Sequence, residues 1–214
     1  MSGSAAEREI RDYAAARLRQ MMPEARIIHE LVVGGCRADL AAVQPDRVTL
    51  VEIKSEKDTL KRLPEQVRQF ERAAHGVIVI AHERWFDTTP YNNGNKRFVP
   101  GTDLRTASGI NDVWAYPELE ARPSYGTWSL QRFWSAQPEP HAARLLELCW
   151  KDELLAECKR HRIAATSRTN MTTMIRDMAL LMTGREIARA VCRQLRMRPF
   201  PEADEPIFEE RSAA

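Results

Sequence analysis

Several things are missing from this chain of 214 residues, and each absence removes a class of protein. No apolar run approaches the length of a bilayer crossing, and the opening Met-Ser-Gly-Ser-Ala-Ala-Glu-Arg has no hydrophobic stretch of the kind a secretory leader carries. The four cysteines, Cys36, Cys149, Cys158 and Cys192, include no Cys-x-x-Cys or other metal-ligand spacing. They read as reduced thiols in a cytoplasmic protein with no membrane partner. A strongly basic balance is absent too, since the formal net charge is only +2, so no overall field announces nucleic acid. Neither repeats nor low-complexity segments occur. What remains is 43% hydrophobic, enough for one sizeable core with or without a small helical addition. The charge is unevenly spread: residues 141–200 hold 12 basic and 6 acidic side chains, and residues 201–214 hold 1 and 5.

The most informative stretch runs from Arg37 to Lys54. Val48-Thr-Leu-Val51 is apolar or β-branched on both alternating faces, as in a strand covered on both sides. Charged residues closing such a strand, Glu52 and Lys54, need an explanation. Upstream, Gln44-Pro45-Asp46-Arg47 carries turn chemistry. A symmetric hairpin loop there, of two or four residues, places Asp39 opposite Glu52. Side chains two apart share a face, so Arg37, Asp39, Glu52 and Lys54 are expected to project together. Opposed carboxylates repel, and a divalent cation between them removes that penalty. Mg²⁺ (or Mn²⁺) suits the place, because it takes hard oxygen ligands and needs only one or two carboxylates. Two acids, a cation and a lysine able to orient an attacking water are parts for hydrolysing a phosphodiester.

Glu-x-Lys alone is ordinary chemistry for an exposed strand; the conjunction with a doubly apolar strand, an aligned Asp and a polar-decorated helix carries more. Asp39 followed by Glu52-Ile53-Lys54 resembles the PD-(D/E)xK nuclease superfamily, in particular its small bacterial and phage members. The longer pattern of Glu30, Arg37-Ala-Asp39, Asp58, Arg62-Leu and Gln66 extends the likeness over roughly the first 80 residues. Ala38 stands where that signature often has Pro. The resemblance implies a restriction-endonuclease-like α/β core with a central mixed sheet flanked by helices. It also implies a Mg²⁺-dependent deoxyribonuclease in which Asp39, Glu52, the Ile53 carbonyl and Glu30 serve the metal, with Lys54 and Gln66 assisting catalysis. The rival reading is a DNA-binding protein that keeps the fold without turnover. Homo-oligomers are compatible with either.

Around that motif, Ser4 and Glu7 form a capping-box pattern before a first helix that Pro23 should end. Arg26–Val33 reads as a strand, with Gly34-Gly35 as a turn. Leu63, Val67, Phe70 and Ala74 form a helical stripe flanked by Gln66, and Val77–Ile80 reads as a strand parallel to the one ending at Lys54. His82 beyond it could enter the cleft or be structural. Residues 88–97 carry loop chemistry with Asn93-Gly94 as a turn, while Gly109–Tyr116 and Gly126–Trp134 could be strands. Trp85, Trp114, Tyr116, Trp128 and Trp134 either cover a sheet or offer a base-stacking surface. The expected division is a nuclease-like core over 1–138, a helical region over 139–200 and an acidic, disordered tail over 201–214. Three helices are expected in the middle part, the last opened by a Thr183/Glu186 capping box. Leu154–Ile163 with Ser167–Met171 resembles a SAP-type DNA-binding helix–loop–helix, which makes Arg160, Arg162, Arg168 and Arg176 phosphate contacts alongside Arg37 and Arg62. The other reading packs these helices on the core with solvated arginines outside.

Overall fold

The computed structural model describes residues 5–90, 96–109, 113–118, 128–130 and 139–208. Helix α1 (Ala5–Met21) leads into an antiparallel β1 (Arg26–Val33), β2 (Cys36–Val43) and β3 (Val48–Lys54), then α2 (Leu63–Ala73) and β4 (Gly76–His82). A short hairpin follows, β5 (Phe86–Pro90) and β6 (Lys96–Pro100), then α3 (Thr102–Ser108) and β7 (Val113–Tyr116). Four helices close the described chain: α4 (Ala142–Leu146), α5 (Lys151–Arg160), α6 (Met171–Leu181) and α7 (Gly184–Met197). The five-stranded mixed sheet has the order β1-β2-β3-β4-β7, with β3, β4 and β7 parallel. No helix among the described residues is long and apolar enough to cross a membrane.

Every residue of β3 is buried because the sheet is covered on both faces. On one face Ile10, Ala14 and Leu18 of α1 meet Leu40, Val51, Ile53, Ile78 and Ile80, together with Trp114 and Trp128 stacked 4.9 Å apart. Both indoles are buried, so these aromatics cover the sheet rather than offer a stacking surface. On the other face Val48, Leu50 and Val77 meet Phe70 of α2 and the apolar sides of α4 to α7. Position 138 therefore marks no break in the core: the C-terminal helices complete the second layer over β1 to β3.

The β2–β3 hairpin forms in the expected register, Leu40↔Val51 through Val43↔Val48, with Gln44 N–H donating to the Arg47 carbonyl across the turn. The expectation of a loop over 88–97 is corrected at both ends, where residues 88–90 belong to β5 and 96–97 to β6; residues 91–95 lie outside the described residues. The expected strand over Gly126–Trp134 is not formed at 128–130, and its other residues, like Ser4, also lie outside. The helical pattern from His141 breaks at residues 147–150 into α4 and α5, giving four helices instead of three. Helix α7 does open on the reciprocal Thr183/Glu186 box.

The tail expectation is corrected as far as Phe208. Ala203 bridges Ile28, Asp204 N–H donates to the Ile27 carbonyl, and Asp204 Oδ2 accepts the Ile27 N–H at 2.9 Å. Buried Arg26 donates to the carbonyls of Leu195, Arg196, Arg198 and Asp204, satisfying the end of α7 and holding the segment beyond it. Acidic composition suggested disorder, but a buried guanidinium and a strand edge supply partners. Residues 209–214 lie outside the described part.

Candidate active site

Between β1 and β2 the regular alternation slips at one place. Ile28 and Leu31 on β1, and Ala41 and Ala38 on β2, pack into the same core although each pair is three residues apart. The register survives, His29↔Leu40 and then Leu31↔Ala38, and leaves Glu30 and Asp39 as the unpaired couple. Glu30 has φ 56, in the left-handed region, which breaks the alternation of β1 at this residue. Arg37, Asp39, Glu52 and Lys54 nevertheless all line one cleft. Arg37 is exposed and reaches the site from its rim.

Released from the β1 ladder, Asp39 turns to β3, where its Oδ2 accepts the Ile53 N–H at 2.7 Å. The N–H and C=O of one strand residue point the same way, so the Ile53 carbonyl also faces this gap, beyond the last β2–β3 ladder pair. Glu52 is 3% exposed and Lys54 5%. Glu52 Oε1 accepts Lys54 Nζ at 2.7 Å and Gln66 Nε2 at 2.6 Å, and Lys54 Nζ also reaches Gln66 Oε1 at 3.3 Å. Glu52 Oε2 is buried without a hydrogen-bond partner. Burial pushes the Glu52 carboxyl up, against the pull of Lys54. Burial first, and the neighbouring Glu52 charge second, push Asp39 up to about 8. Two converging acids, one with an orphaned oxygen, form a donor set that fits a hard divalent cation, with the Ile53 carbonyl as a third protein oxygen. Among the described residues no cluster of three or more His, Cys, Asp or Glu side chains forms such a site.

These residues lie in a cleft of about 790 Å³ at the carboxyl end of β3. One wall is the β1–β2 turn, with Glu30, Gly34, Cys36 and Arg37; the other is the entry to α2, with Asp58, Lys61, Arg62 and Gln66. Asp58 Oδ2 accepts both the N–H and the hydroxyl of Ser55, at 2.7 and 2.6 Å, which fixes the loop that leaves Lys54. Trp85 Nε1 donates to the Ser55 carbonyl and braces the same loop. His82 stays structural, its Nδ1 accepting the Arg84 N–H.

Glu30 lines the cleft, but its oxygens are taken by two guanidiniums, Oε1 by Arg11 and Oε2 by Arg37, each at 3.1 Å. Arg11 was not singled out from the sequence, and Glu7 only as a capping residue of the first helix. They sit four apart on α1 and so share a helix face, the one signal that could have found them together. Arg160, Arg162 and Arg168 are exposed on α5 and the loop after it, and no residue of the C-terminal helices lines the cleft. Arg176 is paired with Asp177. All four cysteines are free thiols, and burial raises those of Cys149, Cys158 and Cys192.

Residues 3–89 match the family described as Bacteriophage P4 protein cII. That segment covers less than half of the chain but contains the whole cleft, from Glu7 to Gln66. Its description agrees with the phage side of the sequence resemblance. No curated protein and no solved structure matches the chain.

Proposed function

We propose that this chain is a metal-dependent nuclease of the PD-(D/E)xK type, acting on DNA with Mg²⁺ or Mn²⁺. The observation that carries the reading is the pairing of Asp39, detached from its own ladder, with a Glu52 whose second oxygen is buried and partnerless. Without metal the pair relieves its repulsion by holding a proton, and a divalent cation would take that proton's place. The sheet order, with a helix crossover between parallel β3 and β4 and the site at their carboxyl ends, supports the restriction-endonuclease-like version of the α/β fold. A bound Mg²⁺ would supply Lewis-acid polarisation of the scissile phosphate and ease deprotonation of the attacking water.

The chain's own part is positional. Asp39, Glu52 and the Ile53 carbonyl would hold the metal. Lys54, fixed by Glu52 and Gln66, offsets negative charge developing on the phosphate and orients the water. Gln66 shapes the site by donating to Glu52 and accepting from Lys54, which leaves Glu52 Oε2 as the available oxygen. Arg62 and Lys61 at the start of α2 offer positive charge to the incoming strand. The reduced cysteines agree with a cytoplasmic setting.

The test is incubation of purified protein with linear duplex, circular, single-stranded and branched DNA, with and without Mg²⁺ or Mn²⁺, beside Glu52→Gln. Metal-dependent products that disappear in the variant are expected. Salt-sensitive retention of DNA without products under any metal would replace this reading with a non-catalytic DNA-binding protein.

A further inference from the structure

The Arg11–Glu30–Arg37 chain lies beside the two carboxylates and takes no part in their hydrogen bonding. Its construction is costly. Arg11 rises from α1 and is 3% exposed, with its Nε buried and unpartnered. Glu30 holds a left-handed backbone that a residue with a Cβ adopts at a cost. Arg37 gives up side-chain freedom to bind Glu30 Oε2 while its side chain stays 54% exposed. The result is a guanidinium fixed at the cleft mouth on the β1–β2 side, across from Lys61 and Arg62 on the α2 side. The bond to Glu30 uses one terminal nitrogen of Arg37, and a guanidinium has five N–H donors. Its planar fork matches phosphate, and the opposite wall already carries cations.

We propose that Arg37 is the subsite for a phosphate neighbouring the scissile one, and that Glu30 and Arg11 are positioning residues that hold it there. Glu30 then serves as the counter-ion of Arg37 and not as a metal ligand, because both of its oxygens are engaged by guanidiniums. This inference rests on the nuclease reading, and it extends the contacts of the site to at least two successive phosphates of one strand.

The experiment measures two affinities separately: fluorescein-labelled duplex DNA without divalent metal, across a salt series, and Mn²⁺ alone by calorimetry. Arg37→Ala, at an exposed side chain, should weaken DNA binding by about tenfold and reduce the salt slope by about 0.9, the value for one phosphate contact. Its Mn²⁺ affinity should be unchanged. Glu30→Gly removes the carboxylate while suiting the left-handed backbone, and should reproduce both results, with Glu30→Gln as the second variant if it does not fold. The pair Glu30→Gly and Arg37→Ala together should bind DNA no worse than Arg37→Ala alone. Loss of Mn²⁺ affinity in Glu30→Gly with DNA affinity retained would make Glu30 a ligand and overturn the proposal. Additive losses in the double variant, or unchanged DNA affinity in Arg37→Ala, would overturn it as well, while the nuclease reading stood on the wild-type products. A wild-type protein that neither retains nor cuts DNA removes both.

Discussion

Loading the site with metal should expel a proton. A carboxylate binds a cation only when ionised, and Asp39 is pushed up to about 8 by burial and by the Glu52 charge. At pH 7 most metal-free molecules therefore carry a proton on the Asp39–Glu52 pair, well above pH 8 few do, and that proton leaves as Mg²⁺ or Mn²⁺ binds. The apparent affinity should climb about tenfold per pH step from 6 to 7, less steeply to 8, and level off above, for a total of about a hundredfold between pH 6 and 9. Calorimetric titration in two buffers of different ionisation enthalpy reads the proton count directly. Release near zero at pH 7, with affinity flat from pH 6 to 8, would refute the reasoning. The same group governs stability without metal. Its folded pKa lies above the unfolded value, so the stabilisation is complete in acid and is lost as the pH rises towards about 8. Saturating Mg²⁺ should flatten that decline.

Other outcomes follow from the burial of charged groups. Opposed carboxylates alone suggest that Glu52→Ala leaves folding intact, but Lys54 and Gln66 both donate to Glu52 Oε1. Glu52→Ala should lower stability by about 3 kcal/mol because it leaves a buried ammonium unpaired, whereas Glu52→Gln, which keeps an acceptor, should cost less in urea denaturation. Arg26→Leu strands the carbonyls of Leu195, Arg198 and Asp204, while the Arg196 carbonyl keeps the Ile207 N–H, and should cost about 3 kcal/mol or more, seen in the same denaturation curves. Asp204→Ala removes the acceptor of the Ile27 N–H and the partner of Arg19; a loss of about 1–3 kcal/mol and faster hydrogen exchange at Ile27 are expected.

The candidate site was legible in the sequence to the extent that local geometry sets it. A turn at Gln44–Arg47 and alternating apolar residues fix the β2–β3 register, and that register alone brings Asp39 across from Glu52. Gln66 follows from a helical stripe whose period is equally local. The slip at Glu30 was not legible, since no residue type in the stretch favours a left-handed backbone. Arg11 escaped because its partner lies 19 residues away, and the order of the acidic tail escaped because Asp204 and Arg26 are 178 residues apart. Separations of that kind leave no mark on local composition.

Arg26 also ties together the two ends of the described chain in time. Its guanidinium sits in the first strand, yet the carbonyls that satisfy it belong to residues 195–204. While the polypeptide is being synthesised, β1 carries a cation with no acceptors and a sheet edge with no cover until those residues emerge. The strands that frame the cleft therefore reach their final packing only after almost all of this sequence has left the ribosome, and the layers should mature in a single concerted step rather than from the N-terminus onward.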